Sequence, residues 1–209
     1  MIRAFFGGTF DPIHNGHLKT SSALMKELGI DRLAFMPSAT PPHRTQPEAS
    51  AEQRLDMVKL ACKDYPGFEA EDWELQQSRP SYTAATLAEF SERFPNDTLV
   101  FVMGMDSLMS LNRWHKWREI VQYAHIVVMP RSGVPFAPQG GELETFIAQH
   151  RVNQPSDLES AKNGKLYIAQ TPLIDISATE LREQLHKRPA SPPTPESVYK
   201  YIKENKLYL

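Results

Sequence analysis

The chain has 209 residues, which is enough for one domain with a sizeable hydrophobic core. Hydrophobic residues make up 41% of the chain and charged residues 23%, and this ordinary globular composition excludes a disordered protein. Because the formal net charge is −2, no global positive field attracts nucleic acid or anionic membranes, and any anionic ligand must be held by a local site.

Cysteine content and hydropathy further limit the class of protein that this sequence can encode. The single cysteine, Cys62, excludes an intrachain disulfide framework, and its apolar neighbours favour a packed thiol over a nucleophile. We find neither a signal peptide nor the roughly 18 consecutive apolar residues of a spanning helix. We therefore expect a soluble cytoplasmic protein that binds neither nucleic acid nor membrane. Residues 1–209 are interpreted as one domain, in which 187–209 form a linking segment and a terminal helix.

In the first half of the chain, short apolar runs alternate with amphipathic stretches. Ser50 and Gln53 have the spacing of a capping box, and Gly29 is suited to end a helix. Strands are predicted at 2–6, 33–36 and 68–75, the last on weak alternation. Helices are predicted over 17–28, from residue 50, and after residues 81–83.

The second half continues the alternation. Two continuous apolar runs, 99–103 and 125–129, are typical of strands buried on both faces. A last strand is predicted at 165–170, and helices are predicted over 143–150, over 177–185 and at the C-terminus around residues 198–202. Residues 38–48, 131–141 and 154–164 are predicted connections.

Strands that alternate with helices indicate βαβ units and a mostly parallel sheet. We expect an α/β fold of the Rossmann-like, doubly wound type, with helices on both faces and a small C-terminal helical extension. Ligands of such sheets bind beyond the carboxyl ends of the strands. The residues that follow each strand are therefore the candidates for chemistry.

The segment after the first strand, GGTFDPIHNGH, is the strongest candidate for a phosphate site. Gly7 and Gly8 would allow close approach of the backbone to a ligand, and the following helix would direct its N–H groups at an anion. His14 and His17 are three residues apart and can share one side of the first helical turn. Spacing alone also allows a surface pair that caps the helix or, with less support, a metal pair.

Residues after the later strands also allow two interpretations each. Ser177 and Arg182 could form a polyphosphate clamp at a helix N-terminus or belong to a plain capped surface helix. Asp106 could accept a hydrogen bond from a ribose hydroxyl or cap the next helix. Trp114 could stack on a flat ring or pack in the core.

Three further basic residues also allow two interpretations each. His43 and Arg44 lie in a loop that prolines stiffen, which suits either a phosphate clamp or a solvated loop. Arg131 could reach the cleft or lie on the surface. Trp117 is interpreted as a core residue.

The segment GGTFDPIHNGHL resembles the H-x-G-H signature of the nucleotidylyltransferase superfamily and, in this wider form, that of nicotinate-nucleotide adenylyltransferases. Four more segments resemble the same family in the same order: PSATPPHR, the SYT at 81–83, GMDS at 104–107 and ISATELR at 176–182. The resemblance thus spans residues 7–182. It departs at Ala178, where a serine is common in the family, and at His115, where members vary and only a backbone contact is expected.

The resemblance implies transfer of AMP from ATP to nicotinate mononucleotide, which gives deamido-NAD and pyrophosphate with Mg²⁺ bridging the ATP phosphates. No protein ligand to the metal is assigned. The implied catalytic residues are His14, His17, Arg44 and Arg182. The implied ATP-binding residues are Gly7, Gly8, Thr9, Phe10, Gly16, His17, Gly104, Ile176, Ser177, Thr179 and Arg182. The implied residues for nicotinate mononucleotide are His43, Arg44, Thr83, Ala84, Asp106, Trp114, His115 and Arg131.

Other functions have weaker support. Phosphopantetheine adenylyltransferases share the histidine signature, but they are shorter and lack the SYT and G-x-D-S segments in this arrangement. A class I aminoacyl-tRNA synthetase would need a longer chain and a second signature loop. A non-catalytic nucleotide-binding regulator would not be expected to keep both histidines and Arg182, and a nucleic-acid-binding module lacks its basic stripe.

Overall fold

The computed structural model describes residues 1–39, 46–77, 80–138 and 140–208. Within them, seven strands form one sheet in the order β3-β2-β1-β4-β5-β7-β6, and every neighbouring pair is parallel. The strands are β1 (Ile2–Gly8), β2 (Leu33–Pro37), β3 (Phe68–Ala70), β4 (Thr98–Gly104), β5 (His125–Met129), β6 (Arg151–Val152) and β7 (Leu166–Ile168).

The α-helices follow the strands as connections. They are α1 (Asn15–Leu28), α2 (Ala51–Cys62), α3 (Thr83–Arg93), α4 (Met105–Met109), α5 (Ile120–Tyr123), α6 (Gly141–His150), α7 (Ala178–Leu185) and α8 (Glu196–Glu204). Short 3₁₀ helices occupy Trp73–Gln76, Leu111–Arg113, Trp117–Glu119 and Pro155–Ser160. Across the described ranges, none of the helices has the length and apolar character needed to cross a lipid bilayer.

Apolar side chains form two separate cores, one on each face of the sheet. One core contains residues of α1, α2, α7 and α8, and the other contains residues of α3, α5 and α6. Side chains of β4 alternate between the two, so that Val100 and Val102 enter the first and Leu99, Phe101 and Met103 the second. This two-sided burial confirms the predicted parallel α/β sheet and explains why β4 is a continuous apolar run.

Two differences from the predicted elements exceed a shift of one or two residues at an end. The strand predicted over 68–75 is wrong beyond Ala70, because the Glu71 carboxylate accepts a hydrogen bond from the Trp73 N–H (3.0 Å) and the chain turns into a 3₁₀ helix. The edge strand β6 was not predicted, since two residues are too short to show a period of two.

The predicted ends of other elements are confirmed by local contacts. Gly29 ends α1 in the left-handed conformation (φ 62°). Ser50 and Gln53 form the predicted capping box of α2, with reciprocal hydrogen bonds of 3.1 and 2.9 Å. The terminal helix α8 packs against α2, and its Val198 and Ile202 are fully buried in the first core.

The strand order reverses direction between β1 and β4. From β1 the chain proceeds to β2 and β3 on one side, whereas β4 and the later strands lie on the other. In open parallel sheets, the crevice outside the carboxyl ends of the strands at such a point is where ligands bind. Gly8 ends β1 and Gly104 ends β4 at this point of the sheet.

Candidate active site

A cavity of about 510 Å³ lies at the carboxyl ends of β1 and β4. Its volume falls within the range of small-molecule sites, about 300–1,000 Å³. The cavity brings together most of the sequence-predicted site residues, from four separate parts of the chain. They are Gly7, Gly8, Thr9, Phe10, His14, Gly16, His17, Gly104, Asp106, Arg131, Ile176, Thr179 and Arg182.

A smaller cavity of about 120 Å³ adjoins the first and shares the wall formed by residues 7–9. It is lined by the predicted Thr83, Trp114 and His115. The buried Ala84 does not line it. Ser177 lines neither cavity, and instead its hydroxyl caps α7 by accepting from the Glu180 N–H (3.2 Å). The predicted His43 and Arg44 lie outside the described residues.

His14 and His17 together form the N-terminal cap of α1. The Nδ1 atom of each ring accepts a hydrogen bond from the backbone N–H of the other, at 3.4 and 3.2 Å. The two rings stack with centroids 3.6 Å apart. The cap therefore begins α1 at Asn15, two residues before the predicted start, and it fixes both rings at the edge of the cavity.

Burial lowers the pKa of both imidazoles. The pKa of His14 falls to about 3, mainly because the ring is buried and also because the positive Arg131 lies nearby. Burial likewise lowers the pKa of His17 well below its usual value, with His14 and Arg131 adding to the effect. Since each Nδ1 accepts a hydrogen bond, the neutral rings carry their proton on Nε2. They are thus neutral N–H donors.

The aromatic ring of Phe10 packs against the His17 ring of the histidine pair. Its buried ring meets the His17 ring edge-on at 5.2 Å, and its backbone has a positive φ of 50°, which is unfavourable for a bulky residue. A Cβ at Gly8 would come within 2.8 Å of the Phe10 ring, and one at Gly16 within 2.9 Å of the His14 ring. Both glycines are therefore required by the protein's own rings, whether or not a ligand approaches.

The N-terminus of α1 offers fewer amides than expected. The Asn15 N–H donates to the carbonyl of Pro193 (2.9 Å), and the His17 N–H donates to the Nδ1 atom of His14. Of the three amides in this first turn, only that of Gly16 has no partner among the described residues. An anion would therefore be held here mainly by side chains.

Arg182 is the guanidinium that the fold brings to the mouth of the cavity. Its Nη1 donates to the backbone carbonyl of Asp11 (2.8 Å), and its Nε donates to Glu48 Oε1 (2.8 Å). Glu48 is half-exposed. Arg182 is fixed on two sides, yet it still lines the space in which a polyphosphate would lie.

Asp106 and Arg131 meet across the cavity, although sequence reasoning placed them independently. Arg131 Nη1 lies 3.1 Å from Asp106 Oδ2. The N-cap of α4 is Gly104, and so the alternative in which Asp106 caps that helix is wrong. Arg131 reaches the cleft and is not a plain surface arginine.

The tryptophans divide as predicted. Trp117 is buried and packs edge-on against Phe146 with centroids 4.8 Å apart. Trp114 is half-buried, lines the smaller cavity and meets the ring of Phe101 edge-on at 6.4 Å. Trp114 therefore borders a cavity, whereas Trp117 belongs to the core.

Sequence reasoning missed Arg54, which is only 1% exposed. Its guanidinium donates to the carbonyls of Thr9 (2.7 Å), Ser38 (2.7 Å) and Ala39 (3.2 Å), and it thereby joins the loops that follow β1 and β2. A signal was present in the sequence. Arg54 is three, four and seven residues before buried positions of α2, so a charge stands on the apolar face of this helix.

Glu74 was missed as well. It is buried beside the smaller cavity and accepts a hydrogen bond from the Thr86 hydroxyl (3.0 Å). Burial raises the pKa of its carboxyl, while hydrogen bonds from Thr86 and Ser81 oppose that shift. Its position in a 3₁₀ helix gave no periodic signal.

Within the described residues, no group of three or more His, Cys, Asp or Glu side chains is arranged to hold a metal ion. Imidazole donors and two guanidinium groups, those of Arg131 and Arg182, line the larger cavity and suit an anionic ligand. Three carboxylates, those of Asp11, Glu48 and Asp106, also line it, and two of them pair with these guanidinium groups.

Comparisons with known proteins agree with this geometry. A family model described as cytidylyltransferase-like matches residues 5–184. A curated protein of Idiomarina loihiensis, named probable nicotinate-nucleotide adenylyltransferase, is 62% identical over 209 residues and covers all of both chains. A protein of Yersinia pestis with the same name is 41% identical over 99% of this chain and 95% of its own.

Solved structures share the fold. Nicotinic acid mononucleotide adenylyltransferase of Plasmodium falciparum, complexed with NaAD, has a TM-score of 0.71 at 17% identity and covers 99% of this chain and 97% of its own. A Vibrio parahaemolyticus protein described as a nicotinate-nucleotide adenylyltransferase has a TM-score of 0.63 over 99% of this chain and 94% of its own. At 17% sequence identity, each of these two structures shows the fold alone.

Proposed function

The chain belongs to the cytidylyltransferase-like family and, within it, to the nicotinate-nucleotide adenylyltransferases, and from this premise we propose how its site transfers AMP. The substrates are ATP and nicotinate mononucleotide, and the products are deamido-NAD and pyrophosphate. One observation supports the assignment most strongly. Two fixed imidazole donors and the Arg182 guanidinium line a cavity that shares the wall of residues 7–9 with a second, ring-sized cavity.

In this proposal the larger cavity binds ATP. The Nε2–H groups of His14 and His17 donate to its phosphate oxygens, with His17 nearest the reacting α-phosphorus, and Arg182 offsets the phosphate charge. Backbone at residues 7–10, 16, 104, 176 and 179 surrounds the nucleotide, whereas Ser177 contributes only by capping α7. Arg44 supplies a second cation from its loop. The donors are uncharged before ATP arrives, and phosphate oxygens beside them would raise their pKa values.

The smaller cavity is the proposed site for the ring of nicotinate mononucleotide. Trp114 stacks on the pyridine ring, and the backbone of Thr83 at the start of α3 faces its carboxylate. Because Ala84 does not line this cavity, we assign it no contact of its own. His115 contributes a backbone contact. Asp106 accepts from a ribose hydroxyl, and Arg131 faces the phosphate that attacks. His43 and Arg44, which lie outside the described residues, are assigned to the same phosphate from the family resemblance alone.

The reaction requires alignment and charge stabilisation more than proton transfer. An oxygen of the mononucleotide phosphate, already ionised at pH 7, attacks the α-phosphorus of ATP. The bond from that phosphorus to the bridging oxygen breaks, and pyrophosphate leaves with the electron pair. No general base and no covalent enzyme intermediate are needed, so fixed donors around the α-phosphorus carry the catalysis.

Mg²⁺ is expected to enter with ATP, where it would offset negative charge on the phosphates and thereby ease the departure of pyrophosphate. Within the described residues no cluster of acidic side chains competes for it, and we assign it no protein ligand. We further propose that residues 1–209 form one nucleotidyltransferase domain that acts in the cytoplasm.

The test is pyrophosphate release from ATP and Mg²⁺ with each acceptor in turn. Release with nicotinate mononucleotide is expected, together with deamido-NAD in equal amount. Release with phosphopantetheine instead would replace the proposal with the related adenylyltransferase activity. If the protein binds ATP but releases no pyrophosphate with any acceptor, the result would indicate a non-catalytic nucleotide-binding regulator.

A further inference from the structure

The C-terminal segment of residues 193–208 contacts the loop that carries the histidine signature at three points. The carbonyl of Pro193 accepts from the Asn15 N–H (2.9 Å), and the Thr194 hydroxyl donates to the carbonyl of Ile13 (2.9 Å). The hydroxyl of Tyr208, close to the end of the chain, donates to Asp11 Oδ1 (2.5 Å). The segment therefore supports the floor of the ATP cavity although it lies far away in sequence.

Asp11 is the buried carboxylate that Tyr208 contacts. It is 5% exposed, and its two oxygens also accept from the N–H groups of Glu48 (2.9 Å) and Ala49 (3.1 Å). Three donors from two remote parts of the chain thus hold one charged group in place. Burial and the neighbouring Asp11 raise the pKa of the Tyr208 hydroxyl, which keeps its proton and remains a donor.

Arg182 stands beside this carboxylate without forming a close ion pair with it. Its Nη1 donates to the backbone carbonyl of Asp11 at 2.8 Å, whereas the carboxylate atom Oδ2 lies 3.9 Å away. Without the Tyr208 hydroxyl on Oδ1, the carboxylate would keep only its two backbone donors, and a rotation of the group about them could bring Oδ2 closer to Arg182. It would then compete with ATP phosphates for the guanidinium, since close charge-assisted pairs are the stronger ones.

We propose that Tyr208 is a positioning residue for ATP binding: its hydroxyl holds the Asp11 carboxylate away from Arg182 and thereby keeps the guanidinium available to the polyphosphate. This inference rests on the proposed function, in which Arg182 contacts ATP. It extends the site to a residue that makes no contact with substrate, and it gives the C-terminal segment a role in nucleotide affinity.

Tyr208→Phe tests the inference because it removes the hydroxyl and keeps the ring. We expect the KM for ATP to rise about 5- to 20-fold, since part of a hydrogen bond to a charged group is lost. The KM for nicotinate mononucleotide should change less than about 2-fold, because no step of the mechanism links Tyr208 to that site. A general loss of packing would instead affect both substrates.

Tyr201→Phe is the matched control. Tyr201 lies on α8, and its hydroxyl also donates to a carboxylate, that of Asp56 (3.1 Å), which is away from the cavity. Its removal should leave the KM for ATP within about 2-fold of wild type. A rise equal to that of Tyr208→Phe would overturn the inference, since it would show that any hydroxyl lost from this segment has the same effect.

A double-mutant cycle with Arg182→Ala tests whether Tyr208 affects ATP binding through Arg182. If Tyr208 acts through Arg182, Tyr208→Phe should raise the KM for ATP less than about 2-fold once Arg182 is gone. An undiminished effect in that background would overturn the inference. If Arg182→Ala alone leaves the KM for ATP and kcat unchanged, the proposed function of Arg182 fails instead, and so the two failures are distinguishable.

Binding of a non-hydrolysable ATP analogue, measured by titration calorimetry, guards against partial unfolding. The stoichiometry of that titration counts folded sites, and the Kd of those sites should rise as the KM does. A Kd equal to wild type in Tyr208→Phe would overturn the inference.

Discussion

Arg54 lies beneath the loop that follows β1, and replacing it with methionine would remove a buried cation while keeping most of its volume. In the native structure the guanidinium donates to three backbone carbonyls, those of Thr9, Ser38 and Ala39. Burial lowers the pKa of Arg54, while the nearby Asp11 raises it. The substitution would leave three carbonyls without this donor and Asp11 without one of its two neighbouring cations.

The magnitude follows from two opposing effects. Each hydrogen bond from a charged donor contributes about 1.5–3 kcal/mol, but removing the charge also recovers part of its desolvation cost. Loss of one member of a buried charged cluster therefore costs about 3–5 kcal/mol. For a chain of this size, we expect a fall in Tm of about 6–20 °C.

Urea denaturation monitored by circular dichroism would measure this change. Arg3→Met is the matched control, because Arg3 also loses hydrogen bonds (to Asp97, 2.9 Å) but is partly exposed and lies toward the amino end of β1. We expect the control to lose less than about 1 kcal/mol. If Arg54→Met were no less stable than Arg3→Met, the three carbonyl contacts would not be stabilising the loops as we reason.

Three further predictions concern the histidines and the ring site. His17→Ala should lower kcat about 10²–10³-fold, the usual loss for one transition-state donor, and near wild-type turnover by the folded variant would contradict its role. The free energy of unfolding in urea should fall as the pH drops below about 6.5. Burial lowers the pKa values of His14 and His125 in the folded protein, so that these two rings take up protons in the unfolded chain and stay neutral in the folded one. The slope is up to about 1.4 kcal/mol per pH unit for each group, and a midpoint that is flat between pH 7 and 5 would contradict it. The kcat/KM for the acid mononucleotide should exceed that for the amide, because amides at the start of α3 favour a carboxylate, and equal values would refute this selectivity.

Local patterns were sufficient wherever the deciding contacts are close in sequence. The apolar runs of β4 and β5 and the capping box at Ser50 depend on neighbours within one element, and the structure matches those predictions. The strand over 68–75 was extended too far because one side-chain contact, from Glu71 to the Trp73 amide, decides where β3 gives way to a turn. The charge state of the histidine pair also escaped prediction, since it depends on burial.

The amino-acid sequence by itself determined the parallel α/β sheet, the family and most of the residues around the cavity, because those depend on periodicity and on a contiguous signature. Only the tertiary structure decided how the cations are held. Arg182 reaches Asp11 across 171 positions of the chain, and Tyr208 reaches it across 197. No local pattern encodes such a pairing. It arises when the sheet places the ends of β1 and the C-terminal segment side by side, and burial then requires each polar group to find a partner.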